Sequence, residues 1–202
     1  MTLRAICIDM GGVIVRTEFQ VPRQHLADRL GLDYDDLIKL VFDSESAQQA
    51  SIGLISEDEH WAAVMHRLRR PASETQAIHD EFFAGDIIDT ELLDFLRSLR
   101  GKLKIAMISN AWSGLRDYIL SKKFEDAFDE IIISAEVKAM KPDDRIYQIA
   151  LEKLGVSPAE TVFIDDFPEN VKAAQTLGMQ AIQFIQPDQV IKEMNQLLTN
   201  QK

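Results

Sequence analysis

At 202 residues, 46% of them apolar and 27% charged, the chain is long enough for one domain, or for a core carrying a smaller insertion, and lies outside the composition of disordered chains. Its formal net charge of −11 excludes a general nucleic-acid binder, which needs basic surface to displace counterions, yet leaves room for a small phosphorylated ligand held by a local positive group. No stretch approaches membrane-spanning length, the run before Asp9 is too short for a secretory signal, and the single cysteine, Cys7, forms no internal disulfide, so the expected setting is the reducing cytoplasm.

In chain order, the first predicted element is a short apolar strand at 5–8, on which Cys7 reads as a small buried hydrophobe. Residues 16–85 follow with helical spacing: Leu26 with Leu30, Leu37 with Val41, and Trp61 with Val64, Met65 and Leu68. All four histidines, His25, His60, His66 and His79, fall in this stretch without the spacing of a paired metal motif. Strands are then expected at 104–108, 130–134, 161–164 and 180–185, alternating with helices at 113–122, 143–154, 168–177 and 188–198. Gly155 and Gly178 act as helix stop signals, and Pro168 suits a first helical turn. The rhythm predicts an α/β fold, a doubly wound parallel sheet formed by 1–15 and 86–202. A helical insertion at 16–85 should lie above the strand ends, where open α/β sheets bind ligands.

Four polar features sit at or just after strand ends and so converge on one crevice: Asp9, Ser109-Asn110, Lys141-Pro142, and Asp165-Asp166 with Asn170. Singly, each fits a helix cap, a turn or a solvated loop. The adjacent carboxylates Asp165 and Asp166 are the strongest signal, because like charges at a strand end repel unless a cation or partner offsets them.

Together the segments Ile8-Asp9-Met10-Gly11-Gly12-Val13, Ile108-Ser109-Asn110, Lys141-Pro142 and Ile164-Asp165-Asp166-Phe167-Pro168-Glu169-Asn170 resemble the haloacid dehalogenase-like hydrolase superfamily over essentially the whole chain. The insertion matches the cap of the subgroup that places its cap after the first strand. The small sugar-phosphate phosphatases and the phosphatase domain of soluble epoxide hydrolase are the most similar members. Receiver domains use the same residue types, but there the acidic pair precedes the nucleophile, the reverse of the order here. The resemblance implies a Rossmann-like core and an aspartyl-phosphate formed on Asp9. It further implies that Ser109, Asn110, Lys141 and Gly12 contact the phosphoryl group, and that Mg2+ is held by Asp9, the Gly11 carbonyl and Asp166, with Asp165 acting directly or through water. Asn170 would orient Lys141 or the carboxylates, and Gly11 and Gly12 would leave space a side chain cannot share with the phosphate.

One departure matters. Phosphatases of the superfamily carry a second aspartate two residues after the nucleophile, as the proton donor to the leaving group, and here that residue is Gly11. The expected substrate is therefore a small phosphorylated metabolite with an acidic leaving oxygen, such as a hexose 1-phosphate. The alternatives are displacement of halide from a short organic acid, whose leaving group needs no proton, and a pseudoenzyme that binds phosphate or a partner without turnover. Among nearby residues, Trp112 and Arg16 are candidates for contact with a substrate, and Arg145 is equally suited to a helix-start ion pair.

Overall fold

The computed structural model describes residues 2–199. Five parallel strands, β1 (Ala5–Ile8), β4 (Lys104–Ser109), β5 (Glu130–Ile133), β6 (Thr161–Asp165) and β7 (Gln180–Gln183), form one sheet in the order β5-β4-β1-β6-β7. The strand carrying Asp9 is therefore central and pairs with β4 on one side and β6 on the other, Ile8 opposite Met107 and Ile164.

Strand periodicity sorts the core into two layers. Ile6, Ile8, Ile105, Met107, Val162 and Ile164 face one side. There they meet α6 (Thr90–Leu99), α7 (Leu115–Lys122) and α11 (Pro187–Thr199). Ala5, Cys7, Ala106, Ile108 and Phe163 face the other, under α9 (Asp144–Leu154) and α10 (Pro168–Thr176). The smaller residues on this second face leave room for Tyr147, fully buried on α9, whose ring meets Phe163 edge-on at 5.1 Å. Cys7 is buried as expected, and desolvation pushes its thiol up to about 12, which keeps it protonated and unreactive.

The insertion carries α1 (Val21–Leu30), α2 (Tyr34–Ile38), a π-helical turn at Lys39–Asp43, α3 (Glu45–Ser51), α4 (Glu57–Leu68) and α5 (Thr75–Phe83). Its apolar stripes close on one another in a third cluster built around Leu26, Leu37, Trp61, Val64, Ile78 and Phe82. Two features went beyond the sequence reading. The chain leaves and re-enters the core through an antiparallel ribbon, β2 (Val15–Thr17) against β3 (Asp86–Ile88), with Thr17 opposite Asp86. The helix α6 was also unassigned, although Leu92, Leu93, Leu96 and Leu99 carry its buried face at helical spacing. The third and fifth strands end earlier than expected: Ser134 opens a short helix, α8 (Ser134–Val137), and Phe184 and Ile185 lie beyond β7.

Candidate active site

Asp9 follows β1 directly, and its backbone N–H continues the pairing with β6 by donating to the Ile164 carbonyl at 2.9 Å. The next turn is tight, the Met10 carbonyl accepting from Val13, Ile14 and Val15. Gly12 sits there at φ +76°, a conformation that favours glycine, and a Cβ on it would lie 2.3 Å from Asp166 Oδ2 and displace that carboxylate. Gly11, by contrast, leaves open space: an added Cβ there meets nothing within 4 Å.

Lys141 joins the carboxylates. Its Nζ lies 2.8 Å from Asp9 Oδ1 and donates to Asp165 Oδ2 at 2.7 Å, with all three side chains buried. The Met10 N–H also donates to Asp9 Oδ1, at 2.6 Å. Among the described residues these contacts leave Asp9 Oδ2 open to a reactant. Asp165 is fully engaged by the protein: its Oδ1 accepts from Asn170 Nδ2 at 3.0 Å and from the Phe167 N–H at 2.9 Å. Asp166 is the opposite case, half-buried with a buried Oδ1 that has no hydrogen-bond partner. Sequence reasoning named both aspartates as metal ligands, and the geometry divides their work. Asp165 holds Lys141 in place, whereas Asp166 offers a free carboxylate oxygen.

Ligand atoms of Asp9, Asp165 and Asp166 lie within 4.8 Å of one another, and among the described residues Lys141 is the one cation paired with them. Burial pushes the Asp9 carboxyl up to about 7, Lys141 opposing and the Asp165 charge adding to the rise. Asp166 is raised in the same way, by burial and then by Asp165. Carboxylate oxygens of Asp9 and Asp166, one of them without a hydrogen-bond partner, are hard donors beside a third carboxylate, so the residues present fit Mg2+.

Ser109 ends β4 with its side chain buried, beside Asp9 in the sheet order. The Asn110 side chain does not reach outward to a ligand. Its Nδ2 donates to the Lys141 carbonyl at 2.8 Å and its Oδ1 accepts from the Lys141 N–H at 2.7 Å, pinning the lysine loop to the serine loop. Tyr147, unremarked in the sequence, donates its hydroxyl to the Asn170 carbonyl at 3.1 Å and so supports the last loop from below.

Three further residues singled out in the sequence make these contacts. Trp112 turns into the insertion, stacked on Phe42 at 5.9 Å and 4.4 Å from the His60 ring. Arg16 is held by Val13, Glu18 and Asp89 at the base of the ribbon. Arg145 is an exposed first-turn residue whose backbone N–H donates to the Asp143 carboxylate.

The chain is similar to known proteins over most of its length. The chain is 29% identical over 199 residues to the sesquiterpene phosphatase astK of Aspergillus oryzae, covering 98% of this chain and 97% of that one. It is 28% identical to a phosphorylated carbohydrates phosphatase of Thermotoga maritima, covering 89% and 84%. Among solved structures, a HAD family enzyme of Bacteroides thetaiotaomicron in complex with magnesium and inorganic phosphate superimposes with a TM-score of 0.77 at 25% identity, covering 90% of this chain and 93% of that one. The family model for haloacid dehalogenase-like hydrolases matches residues 3–178. With Asp9, Ser109 and Asp165-Asp166 at the C-terminal ends of adjacent strands, Lys141 bonded to Asp9 and Asp165, and the family model matching most of its length, this chain belongs to the haloacid dehalogenase-like hydrolases.

Proposed function

We propose that the protein is a Mg2+-dependent phosphatase of small phosphorylated metabolites that works through an aspartyl-phosphate on Asp9, with 16–85 acting as its cap. The observation that carries this reading is the orphaned Asp166 Oδ1 in a buried carboxylate trio, a site short of positive charge. Halide displacement requires no such cation, so this oxygen favours the phosphatase over the dehalogenase alternative.

In this mechanism Asp9 Oδ2 attacks phosphorus and the ester oxygen departs, leaving a phosphoryl group on the carboxylate. Water then attacks the phosphorus, releasing inorganic phosphate and restoring Asp9. Lys141 neutralises charge on Asp9 and the phosphoryl oxygens, and Ser109 donates to one of them. Asp9, Asp166 and the Gly11 carbonyl would hold Mg2+, which when bound draws charge from the phosphoryl group and lowers the repulsion met by the incoming carboxylate.

Gly11 bears on the substrate. It offers no proton, so the leaving oxygen departs unprotonated or takes its proton from water, and hexose 1-phosphates remain our first candidates. The phosphatase names and the magnesium- and phosphate-bound structure among the relatives support the reaction class. The test is a panel of phosphate esters assayed with Mg2+ and with chelator, beside halide release from short haloacids. Phosphate release that disappears in chelator is expected; halide release that persists in chelator would overturn the proposal.

A further inference from the structure

The helix α7 begins at Gly114, which provides no side-chain cap, yet a helix start leaves its first N–H groups without partners. The missing acceptor comes from the insertion. Glu57, the first residue of α4, accepts the Gly114 N–H on Oε2 at 2.9 Å, and its own N–H donates to Ser113 Oγ at 3.2 Å. A carboxylate at that position also meets the positive end of the α7 dipole. The fit depends on glycine, because a Cβ on Gly114 would lie 2.2 Å from Glu57 Oε2. A second contact is built the other way round: Gly53 of the insertion, at φ +67°, leaves space for the Ala135 carbonyl, which a Cβ would approach to 2.1 Å.

The two core loops touched by the insertion are laced together. Ser134 Oγ accepts the Ala111 N–H at 2.9 Å and donates to the Ala111 carbonyl at 3.2 Å, while the Ala135 N–H also donates to that carbonyl. The first loop starts at Asn110, whose side chain grips the Lys141 backbone. A continuous set of bonds therefore runs from Glu57 through Gly114 and the 110–114 loop to Lys141, and from Lys141 to Asp9 and Asp165.

We propose that Glu57 is a positioning residue, a helix cap supplied by the insertion to the core, which fixes the 110–114 loop and Lys141 only while the insertion is seated. The consequence for turnover rests on the phosphatase reading above; the coupling itself does not. With the insertion unseated, Gly114 loses its acceptor, and the 110–114 loop, whose Asn110 grips Lys141, loses its outer anchor.

The experiment compares amide exchange at Ser113, Gly114 and Lys141, with hydrolysis of 4-nitrophenyl phosphate in Mg2+, for wild type, Glu57→Ala, Glu57→Gln, Gly114→Ala and the Glu57→Ala/Gly114→Ala pair. Glu57→Ala should raise exchange at Gly114 and Lys141 by about ten-fold, the scale of a lost helix cap. It should lower kcat by a similar factor with a smaller change in KM, and glutamine, which keeps an acceptor oxygen, should recover part of both. Gly114→Ala should reproduce the effect by displacing Glu57, and should add nothing once Glu57 is already alanine, since its φ of −78° suits any residue. Unchanged exchange at Lys141 in Glu57→Ala, or additive effects in the pair, would overturn the coupling. Altered exchange with unaltered kcat would overturn its role in turnover. A wild type without phosphatase activity would reject the function reading, and the exchange comparison would still decide the coupling.

Discussion

Two donors converge on Asp9 Oδ1, and a carboxylate so placed has one oxygen fixed and one available. Asp9→Asn is expected to abolish turnover while the fold persists. Because burial raises the folded pKa to about 7 from 3.8, the native state binds a proton more tightly than the unfolded chain, and ionising Asp9 weakens the fold as pH rises through that window. The asparagine variant should therefore melt no lower than wild type at neutral pH without divalent cation; a lower Tm would contradict this. The adjacent aspartates give a sharper contrast. Asp166→Asn should remove the Mg2+-dependent rise in Tm and leave the metal-free Tm nearly unchanged. Asp165→Ala breaks a buried ion pair and should cost about 3–5 kcal/mol even without metal, measured by denaturant unfolding. Gly11→Asp tests the missing proton donor. A Cβ at that position meets no protein atom within 4 Å, so a gain of up to about 10²–10⁴-fold is expected on phosphates with poor leaving groups, and little on aryl phosphates of acidic phenols. A uniform change across leaving groups would dismiss it.

The helix α4 carries a buried histidine whose state affects the insertion. His60 is 0% exposed, its Nδ1 lies 2.9 Å from Ser46 Oγ, and its ring packs against Trp61 and Trp112. Burial holds its pKa below the ordinary 6.5, with the Val41 carbonyl opposing. A depressed folded pKa means the unfolded chain takes up the proton first, so this contribution to stability is complete above the unfolded value and is lost as pH falls toward the folded one. Tryptophan-fluorescence melts should show the Tm dropping as pH is lowered below about 6.5, with a shallower slope in His60→Gln. Equal slopes would remove His60 as the cause.

Over the whole molecule, the two apolar clusters flanking the sheet contain no residue from 18–84, and the insertion closes its own cluster, reaching the core side chain Trp112. Replacing 19–84 by a short turn between the ribbon strands should therefore leave a core that unfolds cooperatively and still responds to Mg2+, but with altered substrate preference; loss of the cooperative transition would show that the insertion is part of the core. What the sequence determined was local: apolar runs placed the strands, and polar residues at or after their ends put Asp9, Ser109, Lys141 and Asp165-Asp166 at the C-terminal end of the sheet. The spacing of the α6 leucines was equally local and went unread. Tertiary structure decided the rest. The three-residue strands of the ribbon have no apolar run to announce them and exist because partners about seventy positions apart meet. Asp165 and Asp166 are the same residue in adjacent positions, so only the arrival of Lys141 and Asn170 makes one a brace and leaves the other free. Gly11 and Gly12 likewise look alike in sequence, and only the folded turn, with its positive φ and the approach of Asp166, sets the second apart. Sequence pattern encodes which side chains are buried and which strand end they occupy; the partner each one meets is set when distant segments pack.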